Sequence, residues 1–206
     1  MRIFIGYDPR QPVAFQVLAH SIWNRASKPV DIVRLQLNQL PIKRQGLTEF
    51  TYSRFLVPYL SDYTGVSVFM DADMLCLGDI HELTREPLCA VSVVKNPIRF
   101  EWPSLMVFAN SLCRKLTPEY IETESCFDLK WANEVGSLDP AWNHLVGYDT
   151  PRDDAKIVHF TKGIPIWPET QECEYAQQWH EEMRDTVSSV SYADLMGRSI
   201  HAQIAA

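Results

Sequence analysis

A short apolar segment followed by two carboxylates restricts the fold of this chain more than any other feature. Residues 66–70 read VSVFM, a run of strand length that starts after Gly65 and ends at Asp71. Such a run is typical of a buried strand in an α/β sheet. Ligands of these sheets bind beyond the carboxyl ends of the strands, which is where Asp71 stands.

The rest of the chain alternates strand and helix patterns. The sequence predicts strands over 2–7, 30–37, 65–71, 88–94, 105–108 and 156–160, and helices over 12–24, 53–60 and 173–190. Asp8 follows the first of these strands, so we expect Asp8 and Asp71 at the same edge of the sheet. We predict an α/β fold with a Rossmann-like, mostly parallel twisted sheet flanked by helices. It forms a single domain over 1–206, with a C-terminal helical segment over 170–206.

Length and charge exclude several classes of protein. The 206 residues suit one domain with a substantial core. The net charge of −7 shows no basic footprint, so we expect no nucleic-acid partner. The 8 glycines are about half of the typical share of ~7%. Glycine-rich phosphate loops are therefore scarce, and phosphate chemistry would need another device.

The cysteines and the first residues of the chain indicate where in the cell the protein is expected. Five cysteines with no C-x-x-C pair argue against a disulfide framework and against a thiolate zinc site. Reduced thiols fit a cytosolic protein. The opening MRIFIGYD lacks the layout of a signal peptide, and no apolar run approaches the ~20 residues of a membrane span. We expect a soluble, cytoplasmic protein with no transmembrane segment.

The pair Asp71 and Asp73 is a candidate metal site. In an extended backbone, side chains two residues apart point to the same face, so both carboxylates can reach one ion. Oxygen ligands suit Mg²⁺ or Mn²⁺, and a metal could screen phosphate charge without a glycine loop. With 13 aspartates, however, chance alone gives about 0.8 D-x-D matches, so the bare motif carries little information.

His159 is the second candidate, in the apolar run 156–160. A lone histidine in such a run is often a satisfied core residue. The run is nevertheless followed by Lys162 and Gly163, a cation and a turn residue. One imidazole and two carboxylates form a reasonable Mn²⁺ ligand set, and Lys162 could meet a diphosphate.

Five segments in order resemble the small glycosyltransferases of the family 8 type, which use nucleotide-sugar donors on a GT-A fold. The segment around the two aspartates matches most closely, and the combination is far more specific than any single segment. They are IFIGYDPR (3–10), FTYSRFLVPYL (50–60), VFMDADMLCLGDIHEL (68–83), LDPAWNHL (138–145) and HFTKGIPIW (159–167).

The resemblance implies a transferase that moves a hexose from a nucleotide-diphosphate sugar, with uridine as the family's usual base, to a glycan, lipid or protein acceptor, with retention. It implies Mn²⁺ or Mg²⁺ as the cofactor, held by Asp71, Asp73 and His159. Catalysis is assigned to Asp71, Asp73 and Lys162. The implied residues of the nucleotide-sugar and cofactor site are Tyr7, Asp8, Arg54, Asp71, Ala72, Asp73, His159 and Lys162.

Two other classes of protein also fit the sequence. The late loop departs from the family pattern, since Lys162 precedes Gly163 and Ile166 follows Pro165. A non-catalytic protein that binds nucleotide sugars or carbohydrates would fit this departure. A phosphatase of the haloacid dehalogenase type also places D-x-D after a buried strand. Trp142 and Asn143 are either acceptor-pocket or core residues.

Overall fold

The computed structural model describes residues 1–84, 89–188, 191–197 and 199. Short 3₁₀ turns join the main elements, and no helix in these ranges combines the length and hydropathy needed to cross a membrane. The strands are β1 (Arg2–Gly6), β2 (Asp31–Leu35), β3 (Val66–Met70), β4 (Met74–Cys76), β5 (Val91–Val93), β6 (Leu105–Ala109), β7 (Val135–Ser137), β8 (His144–Leu145) and β9 (Ile157–His159). The helices are α1 (Pro12–Arg25), α2 (Val57–Leu60), α3 (Pro118–Thr123), α4 (Ala176–Val187) and α5 (Tyr192–Met196).

The chain divides into two compact units, each assembled from three separate stretches. The first, the sheet unit, comprises 1–7, 28–71 and 81–140. The second, the helical unit, comprises 8–27, 72–80 and 141–206. The domain extent predicted over 1–206 stays a prediction.

The sheet unit is built on six strands in the order β2-β1-β3-β6-β5-β7. Only β6 runs against the others within this sheet, so the sheet is mostly parallel, as predicted. In the parallel pair of β1 and β3, Ile5 lies opposite Met70, so the two strands end at the same edge. Gly6 is the last residue of β1. A larger residue would not fit there, because an added Cβ would lie 2.5 Å from the ring of Phe50.

The helical unit contains α1 and a three-stranded sheet in the order β4-β9-β8. Pro12 opens α1 at a position where its missing N–H costs nothing, and Val13, Val17 and Ile22 form its buried stripe. The helix packs against β4, α4 and α5. In the small sheet β9 is central, antiparallel to β4 and parallel to β8.

Most long predicted elements are present. The predicted helix over 53–60 is divided into a 3₁₀ turn (Ser53–Leu56) and α2, with Pro58 in the first turn of α2. The predicted helix over 173–190 is shorter, as α4 ends at Val187. Four elements escaped the sequence analysis: β4, β7, β8 and α3. Parts of three predictions lie outside the described residues: residue 88 of the predicted strand, residues 189 and 190 of the predicted helix over 173–190, and the end of the 170–206 segment.

Candidate functional site

Asp71 follows β3 directly and is held from two sides within the sheet unit. Its backbone N–H donates to the carbonyl of Ser104 at 2.9 Å. Its carboxylate faces the guanidinium of Arg54, with Nη2 3.1 Å from Oδ1 and Nη1 3.5 Å from Oδ2. Both side chains are almost fully buried, at 8% and 12% exposure. The guanidinium thus faces both carboxylate oxygens as an ion pair, and its Nη1 donates a hydrogen bond to Oδ2.

Arg54 is fixed in turn by backbone carbonyls. Its Nε donates to the carbonyl of Thr51 at 3.0 Å, and its Nη1 donates to the carbonyl of Pro103 at 2.9 Å. Aromatic rings surround the guanidinium. The nearest ring centroid, that of Phe69, lies 5.0 Å from the guanidinium carbon. The sequence predicts a donor-binding role for Arg54, which stays a prediction, whereas the ion pair with Asp71 was not foreseen.

Asp73 and His159 are brought together by β4 and β9 in the helical unit. The N–H of Phe160 donates to the carbonyl of Asp73 at 2.9 Å, and Met74 lies opposite His159 in the antiparallel register. Asp73 Oδ1 lies 3.4 Å from His159 Nε2. Within the described residues this buried oxygen accepts no hydrogen bond. A carboxylate oxygen and an imidazole nitrogen that face each other without a hydrogen bond suit two ligands of one cation.

His159 has a second polar neighbour, Asn143, which precedes β8. Its Nδ1 lies 3.1 Å from Asn143 Oδ1, and both residues are buried. An amide oxygen only accepts, so Nδ1 carries the hydrogen of this bond. Nε2 then keeps its lone pair, the form in which neutral imidazole binds metals.

The predicted metal ligands come from both units. Asp71 belongs to the sheet unit, whereas Asp73 and His159 belong to the helical unit, where Asp73 Oδ1 lies 3.4 Å from His159 Nε2. Two carboxylate oxygens and one imidazole nitrogen suit Mn²⁺ or Mg²⁺. Ala72, between the aspartates, is buried. The residues present therefore fit a divalent cation.

Tyr7 and Asp8, the predicted nucleoside contacts, follow β1. The N–H of Tyr7 donates to the carbonyl of Leu35 at 3.1 Å, and its ring lies 4.6 Å from the guanidinium carbon of Arg34. The buried carboxylate of Asp8 accepts from the backbone N–H of Arg10 at 2.9 Å and from its guanidinium at 2.6 Å. Their roles toward a nucleoside stay predictions.

Lys162, predicted to meet a diphosphate, is exposed. Its Nζ donates to the carbonyl of Gly147 at 3.2 Å and lies 4.7 Å from the centroid of the Tyr148 ring. Gly147 has a φ of +78°, a conformation that favours glycine, and an added Cβ would lie 3.1 Å from Nζ. The role of Lys162 toward a diphosphate stays a prediction.

The structure places Trp142 in the core. Its side chain is buried, and the ammonium group of Lys156 lies 5.0 Å from its ring centroid. Sequence reasoning did not identify Asn143 as a neighbour of His159. No local signal could have revealed it, because 16 positions separate the two residues.

A surface cavity of about 330 Å³ opens in the helical unit. Its lining contains none of the predicted site residues. It is lined by Pro151, Arg152, Asp153, Glu174, Tyr175 and Gln178.

Solved structures with a similar fold are glycosyltransferases. The WbbM bifunctional glycosyltransferase has a TM-score of 0.68 at 16% identity, covering 95% of this chain and 50% of that chain. The galactosyltransferase LgtC, in complex with donor and acceptor sugar analogues, has a TM-score of 0.60 at 10% identity, covering 90% and 96%. GlyE of Streptococcus pneumoniae TIGR4 has a TM-score of 0.60 at 13% identity, covering 98% and 64%. The chain thus spans half of the WbbM chain and has a glycosyltransferase fold of the GT-A type, which confirms the predicted fold class.

Sequence comparison gives a nearer relative. No family model matches the chain. Protein CDI of Arabidopsis thaliana is 34% identical over an alignment of 225 residues, which covers 89% of this chain and 86% of that protein. Because this identity extends over most of both proteins, the chain belongs to the family of Protein CDI.

Proposed function

We propose that this protein is a metal-dependent glycosyltransferase that moves a hexose from a nucleoside-diphosphate sugar, uridine-linked, to a hydroxyl-bearing acceptor. The observation that carries the proposal is the pair of Asp73 and His159 in the helical unit, where the buried Asp73 Oδ1 lies 3.4 Å from His159 Nε2 and accepts no hydrogen bond from the described residues. The glycosyltransferase fold supports it.

The residues of this site have different roles in the proposed reaction. Asp73 and His159 hold the cation with Asp71, the third predicted ligand, whose carboxylate forms an ion pair with Arg54. A divalent cation held there would supply Lewis-acid chemistry, because it would screen the negative charge of the departing nucleoside diphosphate. Lys162 adds a positive charge beside the diphosphate, since its exposed ammonium group contacts only the Gly147 carbonyl and the Tyr148 ring among the contacts described.

Retention of the anomeric configuration is part of the proposal. No carboxylate of the site is assigned as a nucleophile, because Asp71 is paired with Arg54 and Asp73 serves the cation. The acceptor hydroxyl therefore attacks from the face that the leaving group vacates. An NMR assay of the product anomer checks this, and an inverted product contradicts it.

Binding and turnover can be measured separately with uridine-diphosphate sugars. We expect the apparent melting temperature to rise with a donor plus Mn²⁺, because ligand binding to the native state stabilises it by mass action. We expect slow, Mn²⁺-dependent hydrolysis of the donor, measured as release of uridine diphosphate. Asp73→Asn should abolish that hydrolysis. The control is Asp62→Asn, at an exposed position with a φ of 51°, which asparagine tolerates.

Two outcomes would overturn the proposal in favour of the alternatives. Binding of donor and Mn²⁺ without any turnover would favour a non-catalytic binding protein. Phosphate release from simple phosphate esters, with no effect of nucleotide sugars, would favour a phosphatase. Hydrolysis that survives Asp73→Asn would exclude the metal role of Asp73.

A further inference from the structure

We infer that Asn143 is a positioning residue of the cation site: it fixes the tautomer of His159, so that the Nε2 lone pair is directed toward Asp73. This inference rests on the proposed function, because it concerns the same site. It adds to the site a residue that acts on the cation through His159.

The backbone of the small sheet sets the arrangement. The carbonyl of His159 accepts from the N–H of Val146 at 3.0 Å, on the β8 side. On the β4 side, the N–H of Phe160 donates to the carbonyl of Asp73 at 2.9 Å. His159 and the next residue, Phe160, are thus tied by main-chain bonds to the strands on either side. Because these bonds fix the backbone, rotation of the imidazole is the main freedom left to the ligand.

Asn143 removes that freedom. Its Oδ1 lies 3.1 Å from His159 Nδ1, with both residues buried, so the ring cannot exchange this partner for water. The bond places the hydrogen on Nδ1 and leaves Nε2 as an acceptor, 3.4 Å from Asp73 Oδ1. Partners of this kind orient metal-binding histidines and fix their tautomer.

The other tautomer would disable the site. With the hydrogen on Nε2, His159 could donate to Asp73 Oδ1, and closing the present gap of 3.4 Å would join two ligands to each other. The cation would then have to break this hydrogen bond before it could bind. Asn143 suppresses that competing state because its Oδ1 can bond the imidazole only when Nδ1 carries the hydrogen.

A purely structural role for Asn143 predicts a different outcome. In that case its loss lowers stability but leaves the His159 tautomer and Mn²⁺ affinity unchanged. Two variants separate the roles: Asn143→Leu removes the acceptor at similar volume, and Asn143→Asp keeps an acceptor oxygen. Asn110→Leu is the matched control. Asn110 is also buried, but its side-chain amide donates hydrogen bonds to the carbonyl of Thr64 and the hydroxyl of Ser67.

The tautomer is read on the metal-free protein by long-range ¹H–¹⁵N NMR at a pH above the ordinary histidine pKa of ~6.5. His159 is assigned among the six histidines from the spectrum of His159→Gln. We expect the Nδ1–H form in the wild type and in Asn143→Asp, and the Nε2–H form or a mixture in Asn143→Leu. A wild-type His159 in the Nε2–H form overturns the inference, and so does an unchanged tautomer in a folded Asn143→Leu.

Mn²⁺ affinity is the second readout, measured by the loss of the EPR signal of free Mn²⁺. We expect affinity to fall about 10–100-fold in Asn143→Leu and to be retained in Asn143→Asp and Asn110→Leu. Equal affinity in all variants overturns the inference. If the wild type shows the Nδ1–H tautomer but binds no Mn²⁺, the proposed function fails while the tautomer assignment stands. The two failures are therefore distinguishable, and the wild-type spectrum is decisive even if Asn143→Leu does not fold.

Discussion

At the residue scale, two arginine–aspartate pairs of the sheet unit differ in how deeply they are buried. In the pair Arg54–Asp71 the side chains are 8% and 12% exposed, whereas in Arg2–Asp31 they are 47% and 62% exposed. Removing one partner of a buried pair leaves an uncompensated charge in a medium of low dielectric. Solvent and salt screen an exposed pair, whose contribution is small.

We therefore expect Arg54→Met to lower the free energy of unfolding by about 3–5 kcal/mol. The exposed control, Arg2→Met, should lose less than ~1 kcal/mol. Urea unfolding followed by circular dichroism measures both. Adding Asp71→Asn to Arg54→Met should restore part of the loss, because the orphaned charge is then gone. Equal losses in the two single variants would show that burial of the first pair does not matter.

Some residues of the candidate site could be predicted from sequence patterns, and others could not. Asp71 and Asp73 could be predicted because they follow an apolar strand within a recognisable segment, and His159 because it stands in a similar segment. The partners of these residues could not, since Arg54 lies 17 positions before Asp71 and Asn143 lies 16 before His159. Such contacts depend on which strands become neighbours, and local spacing does not encode that.

At the element scale, a buried carboxylate joins α1 and α4. Glu182 of α4 is buried and accepts from Arg25 Nη1 at 2.7 Å and from Asn24 Nδ2 at 3.1 Å. His20 lies beside the same carboxylate, with Nδ1 2.5 Å from Oε1. All three partners belong to the last turns of α1. The position of α4 thus depends on one side chain as well as on apolar packing.

Glu182→Ala should destabilise the protein by about 1–3 kcal/mol, because Arg25 and Asn24 lose a buried charged acceptor. The neighbouring Glu181 is exposed and bonds only within α4 among the contacts described, so Glu181→Ala should change stability by no more than ~0.5 kcal/mol. Thermal unfolding measures the difference. Faster amide exchange in α4 of Glu182→Ala would locate the effect, whereas unchanged exchange there would refute the tethering role.

Long elements could be predicted from the sequence, whereas short ones could not. The start of α1 is marked by Pro12 and its buried stripe recurs at helical spacing. By contrast, β4 and β8 contain three and two residues, too few for any period to show. Their existence depends on pairing with β9, so the sheet that carries Asp73 and His159 was not foreseen.

At the scale of the whole molecule, the five cysteines report on global unfolding. All are free thiols, and burial raises the pKa of Cys76 and Cys113 to about 12 and that of Cys126 to about 11. Only Cys89 and Cys173 are partly exposed. At pH ~8 we expect at most these two to react rapidly with Ellman's reagent, and all five after unfolding in urea. Rapid reaction of four or more native thiols would contradict the buried positions.

The same thiols predict how stability depends on pH. Their pKa values are raised from an ordinary value of 9.0, so above that pH the unfolded chain loses protons that the native chain retains. Stability is therefore complete below pH ~9 and falls as the pH increases toward ~11. We expect roughly 1 kcal/mol per buried thiol per pH unit in that window. Cys76→Ala should reduce the slope of unfolding free energy against pH, and an unchanged slope would count against this cause.

The discontinuity of the two units has a consequence for synthesis on the ribosome. The helical unit starts with residues 8–27 but needs 141–206 to be completed, so α1 emerges long before α4 and α5. Contacts between such distant stretches carry a high loop-closure cost and form late in folding. A nascent chain that stops before residue 159 has Asp71 and Asp73 but neither β9 nor the imidazole. Premature termination products are therefore expected to lack the third ligand of the cation site.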